Sequence, residues 1–305
     1  MLSPLAKNII KTLAYYDIFS YPLNADEVFH NLPVNHCTSI EVKYELEHLC
    51  AKNILFRIDD FYLLKNEREF VQRRINGNRL CDKRLKSAFR MSKLISKFPF
   101  VRAILLSGSI SKGFMEKDSD VDYFIITKPG RLWVTKMFLT IFKKIFLLNS
   151  RKVFCINYYI DYNHLEIEEK NVFTAIEIAT LNPVFGKEYY DEFYEKNIWI
   201  KNYFPNFPKR NNQMIDKDNP GRLQKLLEKL FDNRVGDWLD DFAMKLFSKT
   251  ISKKFRYLDK NDFALAFKTT KCESKYHPKF FQKKVLISFE EKLNQLQQSL
   301  KISLM

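Results

Sequence analysis

The segment spanning residues 105–127, LLSGSISKGFMEKDSDVDYFIIT, limits what this chain can fold into more than any other stretch. Its apolar ends predict two buried strands, one over Val101–Ser107 and one over Val121–Thr127. The polar residues between the two runs predict a loop that leaves the first strand and enters the second. An amphipathic helix predicted over Arg131–Leu148 and a third strand over Val153–Ile160 follow, and this order of strand, loop, strand, helix and strand is typical of an α/β or α+β core.

Two acids open the second predicted strand, and we expect them to bind a metal ion. Residues i and i+2 of a strand point to the same face, so Asp120 and Asp122 project together. With Cα atoms about 6.6 Å apart, their carboxylates repel by about 2–3 kcal/mol at an effective dielectric of about 20. A bound cation offsets this cost, and Mg²⁺ is usually held by one or two carboxylates together with substrate phosphates. Two such ions can clamp the attacking and leaving oxygens of a phosphoryl transfer, and we expect two here.

The turn after the first strand has the composition of a phosphate-binding loop. Gly108 lets backbone N–H groups approach a phosphate closely, and the Ser109 hydroxyl can donate to its oxygens. Lys112 and Lys117 follow in the same loop and could neutralise a triphosphate. The alternative is a surface turn with acidic caps, which the combination of a glycine-serine pair and an acidic pair on consecutive strands disfavours.

The order Gly108-Ser109, ten residues, then Asp120-Val121-Asp122 resembles the motif of the nucleotidyltransferase superfamily. That superfamily includes DNA polymerase β, the CCA-adding enzymes, the antibiotic nucleotidyltransferases and the minimal nucleotidyltransferases. The resemblance implies Mg²⁺-dependent transfer of a nucleoside monophosphate from an NTP such as ATP to a hydroxyl group, with release of pyrophosphate. It also implies that Asp120 and Asp122 hold the metal ions and that Gly108-Ser109 holds the triphosphate.

The resemblance further implies a third carboxylate on a later strand, and here the sequence departs from the pattern. The corresponding strand, predicted over Val153–Ile160, carries Asn157 at its central polar position. Asparagine can ligate a metal but cannot act as a base. We expect Asp161, which has the same parity at the end of that strand, to be the third catalytic residue. The alternatives are Glu177 on the next helix, or weakened chemistry.

Residues 1–66 predict a separate module of three helices and a hairpin, the order of a winged helix. The stretches LAYYDIFSYPL and FYLLKNERE also resemble bacterial proteins in which a winged-helix-like region precedes such a transferase domain. The third predicted helix is acidic, and phosphates would repel it, so we favour a structural or protein-contact role over DNA binding. Its charged residues are Glu41, Glu45 and Glu47 against Lys43 and Lys52.

The remaining chain divides into three parts. Residues 67–97 predict a long basic helix in which Gly77, at a cost of about 1 kcal/mol relative to alanine, marks a possible division. Residues 98–165 predict the nucleotidyltransferase core, and residues 166–305 a helical region that would select the acceptor. We expect helix breaks in that region at Asn182-Pro183, at Pro205 to Pro208, and at Asn219-Pro220-Gly221. The fold class is therefore α+β: a small mixed-sheet core between a winged-helix-like module and a C-terminal helical region.

Composition limits the partners. The 305 residues are 46% hydrophobic and 29% charged, which excludes a fully disordered chain. The 51 lysines and arginines against 36 acids give a net charge of +15, which attracts polyanions, although solvated lysines also explain it. Basic and aromatic residues interleave over residues 245–284, which either binds single-stranded nucleic acid or is an ordinary helical domain, and we favour the latter.

Two further absences in the sequence shape the expectations. The five cysteines form no CxxC pair, and no run reaches the ~20 apolar residues of a membrane span, so we expect a cytoplasmic protein without a membrane partner. The acceptor of the transfer would be RNA, a protein or a small hydroxyl compound. The alternative function is a catalytically weak or inactive nucleotide- or nucleic-acid-binding regulator, in which Asn157 marks a degenerate site.

Overall fold

The computed structural model describes residues 2–150, 152–211, 221–278, 280–301 and 303. The expected break at Asn219-Pro220 lies outside these residues. The helices are α1 (Pro4–Asp17), α2 (Ala25–His30), α3 (Ser39–Ala51), α4 (Arg68–Ile95), α5 (Gly108–Ser111), α6 (Leu132–Phe146), α7 (Val172–Ala179), α8 (Lys187–Lys196), α9 (Arg222–Phe231), α10 (Arg234–Lys254), α11 (Lys260–Ala266) and α12 (Phe281–Leu300). The strands are β1 (Phe56–Ile58), β2 (Phe61–Leu63), β3 (Val101–Ser107), β4 (Asp122–Thr127), β5 (Cys155–Asp161), β6 (Asn182–Phe185), β7 (Phe267–Thr269) and β8 (Glu273–Tyr276).

A six-stranded mixed sheet forms the centre of the molecule, in the order β6-β3-β4-β5-β8-β7. Only β4 and β5 pair in parallel, because α6 carries the chain across between them, and the other neighbours are antiparallel. The predicted α+β class with a mixed-sheet core is therefore confirmed. The first predicted strand has the bounds of β3, whereas β4 begins one residue later than predicted and β5 two residues later.

Helices cover both faces of this sheet, so residues of both parities in β3 and β4 are buried. Ala103, Leu105 and Phe124 face a cluster that includes side chains of α7 and α8. Ile104 and Tyr123 face the opposite cluster, which includes side chains of α4, α6 and α10. Side chains two residues apart in β4 lie on the same face, so Asp122 projects to the same side as Phe124, towards α7.

The sheet draws on more of the chain than the core predicted over residues 98–165. The expected helix break at Asn182-Pro183 is instead part of the edge strand β6, where a proline is tolerated because one side of the strand is unpaired. The hairpin of β7 and β8 pairs with β5 from the far end of the chain. These strands are only three or four residues long, so they carry too few positions to show a strand period in the sequence.

The N-terminal region contains α1, α2 and α3, followed by the β1–β2 hairpin. α2 and α3 each begin at a capping box, formed by Asn24 with Glu27 and by Thr38 with Glu41, which satisfies backbone N–H groups at the first turn. The order of elements is the one predicted for residues 1–66, and the likeness to a winged helix stays a prediction.

The basic helix α4 is continuous from Arg68 to Ile95, so Gly77 does not divide it. Gly77 has a packing role instead. A Cβ at this position would lie 2.2 Å from Phe114 Cε2, so only glycine admits the ring. Within the described ranges, no helix combines the length and the hydropathy required to cross a membrane.

Candidate active site

The two halves of the sequence motif meet at one end of the central sheet. Ser107, the last residue of β3, is the register partner of Asp122, the first residue of β4. Gly108 follows Ser107 directly and opens the short helix α5. The structure therefore brings Gly108, Ser109 and Asp122 together, as expected for a loop that presents phosphates next to a carboxylate.

Gly108 is in van der Waals contact with the Asp122 carboxylate. Its φ of +66° lies in the left-handed region that disfavours other residues. A Cβ built on Gly108 would stand 2.5 Å from Asp122 Oδ2, closer than real contacts allow. Two independent constraints, the backbone conformation and the space taken by the carboxylate, thus require glycine at this position.

The acidic pair follows the alternation expected of a strand. Val121 and Tyr123 are fully buried, whereas Asp120 and Asp122 are partly exposed. Burial raises the pKa of Asp122 to about 6, and the negative charges of Asp120 and Glu177 add to this rise. The pKa shift means that Asp120 and Asp122 interact, and that an ionised Asp122 is held at an energetic cost.

Side chains of β5 hydrogen-bond to Asp122 or lie beside it. Asn157 Nδ2 donates to Asp122 Oδ1 at 2.6 Å, and Cys155 Sγ donates to Asn157 Oδ1 at 3.1 Å. Hydrogen bonds from Asn157 and Cys155 oppose the rise in the Asp122 pKa. Asn157 therefore lies beside the acidic pair and acts as a hydrogen-bond donor rather than as a third acid.

Asp161 is not part of this site. In the parallel pairing of β4 and β5, Asp122 lies opposite Cys155 and Thr127 lies opposite Asp161. Asp161 is thus about 20 Å further along β5, at the other end of the sheet. It is buried there and accepts hydrogen bonds from the Gly130 and Asn163 amides at 2.7 and 2.8 Å. This corrects the expectation that Asp161 completes the carboxylate set. The parity of a residue along a strand determines which face of the sheet its side chain lies on, but not at which end of the sheet it lies.

Glu177 of α7 lies closer to the motif. Lys112 Nζ donates to Glu177 Oε1 at 2.8 Å and to the Gly108 carbonyl at 3.2 Å. The charge of Glu177 also contributes to the raised pKa of Asp122. Of the two lysines predicted to contact phosphate, Lys112 therefore reaches the motif and is paired with Glu177, while Lys117 is exposed on the loop.

Sequence reasoning missed two tyrosines of α1. Tyr15 and Tyr16 are near enough to Glu177 that its charge contributes to raising the pKa of both phenols, after burial as the main cause. Tyr15 packs in the same apolar cluster as β3 and α7. The adjacent tyrosines in LAYYDIF, near the end of α1, are the signal that could have linked this helix to the site.

The carboxylate oxygens near Gly108 are suited to ligate a hard cation. Throughout the described ranges, no group of three or more His, Cys, Asp or Glu side chains is arranged to hold a metal ion. Asp120 and Asp122 supply two carboxylates, which is the usual protein share of a Mg²⁺ site completed by water and substrate phosphates. The contact of Asp122 with Gly108 puts one carboxylate directly beside the backbone that would hold those phosphates.

Comparison with known protein families gives a match to part of the chain. Residues 91–203 match the family model described as a nucleotidyltransferase domain. No curated protein and no solved structure matches the chain. The matched span begins in α4 and contains Gly108, Ser109, Asp120, Asp122 and Glu177. It also includes β6, in agreement with a core larger than residues 98–165.

Proposed function

Since residues 91–203 form a nucleotidyltransferase domain, we propose that this protein transfers a nucleoside monophosphate from an NTP to a hydroxyl acceptor. In this reaction the acceptor oxygen forms a bond to the α-phosphorus, the bond from that phosphorus to the bridging oxygen breaks, and pyrophosphate leaves. The observation that carries the proposal is the contact between Gly108 and the Asp122 carboxylate, since a glycine turn that bound phosphates would then lie beside an acid able to ligate a metal ion.

Asp120 and Asp122 would hold the divalent metal, Mg²⁺ being the ion that fits two carboxylates best. A bound metal ion neutralises the charge that develops on the phosphate oxygens and orients the reacting groups. Asn157 orients Asp122 through its hydrogen bond of 2.6 Å to Oδ1. This leaves Oδ2 against Gly108, on the side of the carboxylate where the phosphates would lie.

The turn after β3 would bind the triphosphate. Ser109 is exposed, and within the described ranges its hydroxyl has no hydrogen-bond partner, so it is available as a donor. Lys112 is held beside the Gly108 carbonyl and carries a charge suited to a phosphate oxygen. Lys117 would contribute from the exposed loop once the substrate is bound.

Glu177 is our candidate for the base that deprotonates the acceptor hydroxyl. Asp161 is remote, and Asn157 cannot accept a proton at neutral pH. Glu177 is paired with Lys112 in the absence of substrate. If Lys112 turns to the triphosphate, the carboxylate of Glu177 is released at the moment when a base is needed.

The experiment is transfer of label from NTPs carrying a radioactive α-phosphate. The full-length protein is incubated with each NTP, Mg²⁺ or Mn²⁺, and either total RNA or a cell lysate. We expect labelled product that is sensitive to nuclease, to protease or to neither, according to the acceptor. Asp120→Asn and Asp122→Asn should abolish labelling, whereas Asp118→Asn, on the exposed loop two residues earlier, should not.

Two results would contradict the proposal. The first is labelling that persists when both Asp120 and Asp122 are replaced. The second is NTP binding without pyrophosphate release under every condition, which would favour the alternative of a non-catalytic nucleotide-binding regulator. Glu177→Gln separates the base from the metal ligands, because it should slow transfer and leave metal-dependent NTP binding intact.

A further inference from the structure

Helices α9 and α10 present large apolar side chains to solvent. Seven of these side chains, here called the outer stripe, are between 49% and 68% exposed. They are Leu223, Leu226, Leu230, Val235, Trp238, Phe242 and Leu246. Contiguous apolar surface of this kind is uncommon on isolated proteins and indicates an interaction site.

The spacing puts the outer stripe on one face of each helix. On α9 it recurs at intervals of three and four residues, and on α10 the same intervals continue from Val235 to Leu246. The opposite face contacts the protein through apolar side chains such as Ala243 and through polar groups. Glu228 accepts from the Phe100 amide at 2.7 Å, and Asp240 accepts from the Trp133 amide at 2.8 Å. α10 also buries Ala243 and Ile251 against the protein, so the outer stripe is a second apolar face of this helix that is directed to solvent.

All the acidic residues of α9 and α10, with Asp232 between them, form ion pairs with basic residues elsewhere in the protein. Glu228 pairs with Arg102 at 3.1 Å, and Asp237 pairs with Arg131 at 2.6 Å. The three other acids also have cationic partners within the protein: Asp232 with Lys128 and Arg131, and Asp240 and Asp241 with Lys271. Their negative charge is therefore neutralised on the inner side.

The basic residues of these helices, in contrast, lack such ion pairs in the part of the chain that the structure describes. They are Arg222, Lys225, Lys229, Arg234, Lys245, Lys249, Lys253 and Lys254. The surface around the outer stripe is thus apolar along its centre and carries uncompensated positive charge.

The charge and the residue composition of this surface indicate which kind of partner it binds. Two copies of this chain facing each other across the stripe would bring eight unpaired cations of each into apposition, which disfavours a dimer. Five of the seven stripe residues are aliphatic, and bases stack on aromatic rings, which disfavours nucleic acid.

We propose that α9 and α10 dock the protein on an anionic lipid surface. Leucine, tryptophan and phenylalanine on one face, flanked by lysine and arginine, is the composition of helices that lie in the plane of a membrane interface. The net charge of +15 adds long-range attraction to anionic lipid. The proposal replaces the expectation that no membrane is involved, and it is independent of the proposed transferase activity.

The test uses the full-length protein and vesicles made of equal parts of phosphatidylglycerol and phosphatidylcholine. We expect the protein to sediment with these vesicles, to stay in solution with phosphatidylcholine alone, and to be released by high salt. Trp238 is 64% exposed whereas Trp133 is fully buried, so transfer of Trp238 into the interface should shift the emission to shorter wavelength.

Matched variants distinguish binding through the outer stripe from non-specific binding through any exposed apolar residue. Leu226→Gln combined with Leu230→Gln and Leu246→Gln should weaken vesicle binding at least about tenfold, as expected from the loss of three apolar side chains. Ile40→Gln combined with Tyr44→Gln, which removes exposed apolar residues of α3, should leave binding unchanged. All five side chains are largely exposed, so circular dichroism should show both variants folded.

Three results would overturn the proposal. One is no sedimentation with anionic vesicles at low salt. Another is equal loss of binding in the α9–α10 variant and the α3 variant. The third is a wild-type dimer in solution that the α9–α10 substitutions dissociate, which would identify the outer stripe as a contact between two copies of the chain.

Discussion

At the scale of single residues, the contact between Gly108 and Asp122 is the feature from which the proposed chemistry follows. The glycine adopts a left-handed conformation and leaves space for the carboxylate, and the carboxylate is partly buried as a result. Gly130 provides a natural comparison. It has nearly the same φ, +68°, but a Cβ there would meet nothing within 4 Å.

Gly108→Ala and Gly130→Ala therefore separate backbone strain from the loss of space at the site. Both variants should lose about 1–2 kcal/mol of stability, because a Cβ is disfavoured in the left-handed region. Only Gly108→Ala should also lose metal-dependent NTP binding, since its Cβ displaces the Asp122 carboxylate. Denaturant unfolding and nucleotide titration measure the two effects, and equal binding by the two variants would contradict this account.

The raised pKa of Asp122 predicts a pH-dependent stability of the metal-free protein. Because the folded state binds the Asp122 proton more tightly than the unfolded chain, its stabilising contribution is complete below about pH 4. That contribution is lost as the pH rises through the folded pKa of about 6. Asp122→Asn should thus stabilise the protein by up to about 3 kcal/mol at pH 8 and have little effect at pH 4.

Thermal unfolding at the two pH values measures this difference, with Asp118→Asn as the exposed control. The same shift predicts that metal binding strengthens as the pH rises through about 6, where Asp122 loses its proton. A variant that is less stable than wild type at pH 8 would show that the ionised carboxylate is not under strain.

At the scale of elements, α4 positions the loop that joins β3 to β4. The Gly77 carbonyl accepts from the Met115 amide at 3.2 Å, and Asn78 Nδ2 donates to the Gly113 carbonyl at 2.6 Å. Phe114 packs directly over Gly77. The basic helix therefore has a defined structural role at its centre, which its charge pattern alone did not indicate.

Gly77→Ala should be destabilising although alanine is the better helix former. Substituting alanine for a helical glycine ordinarily gains about 1 kcal/mol. Here the new Cβ would overlap the Phe114 ring, and overpacking of this kind costs about 1–3 kcal/mol. Denaturant unfolding of Gly77→Ala alone and with Phe114→Ala checks this: in the Phe114→Ala background the alanine should become stabilising. Stabilisation in the wild-type background would contradict the packing seen here.

At the scale of the whole molecule, Arg74 joins α4 to the N-terminal region. Its guanidinium lies 4.5 Å from the Tyr21 ring and 4.3 Å from the Phe61 ring, and donates to Glu27 at 2.6 Å. It is 5% exposed. The N-terminal region is thus packed on the helix that also contacts the loop between β3 and β4. Tyr15 of α1 lies near enough to Glu177 for the charge of Glu177 to add to the raised pKa of Tyr15.

Arg74→Ala should loosen this contact more than loss of a surface ion pair would. Removing one partner of a largely buried pair costs about 3 kcal/mol, because the remaining groups lose their compensation. We expect faster proteolysis between the N-terminal helices and α4. Lys43→Ala, which removes an exposed pair with Asp26 at 3.4 Å, is the control and should have little effect. Equal proteolysis of the two variants would contradict the docking role.

The sequence predicted the parts of this fold that depend on local pattern. The runs over Val101–Ser107 and Val121–Thr127 predicted two strands, and the structure has the first with the same bounds and the second beginning one residue later, at Asp122. What depends on distant pairing was not predictable: β6, β7 and β8 are too short to show a period. The position of Asp161 was misjudged because strand direction and register, which decide the end of the sheet, are absent from the local pattern.

The most direct test of the central claim is binding of Mn²⁺ together with a non-hydrolysable NTP, followed by electron paramagnetic resonance. Mn²⁺ favours the same oxygen ligands as Mg²⁺. We predict that the wild-type protein binds Mn²⁺ tightly only when the NTP analogue is present, and that Asp120→Asn and Asp122→Asn each abolish this binding while Asp118→Asn retains it. NTP-dependent Mn²⁺ binding that survives loss of both Asp120 and Asp122 would contradict the account.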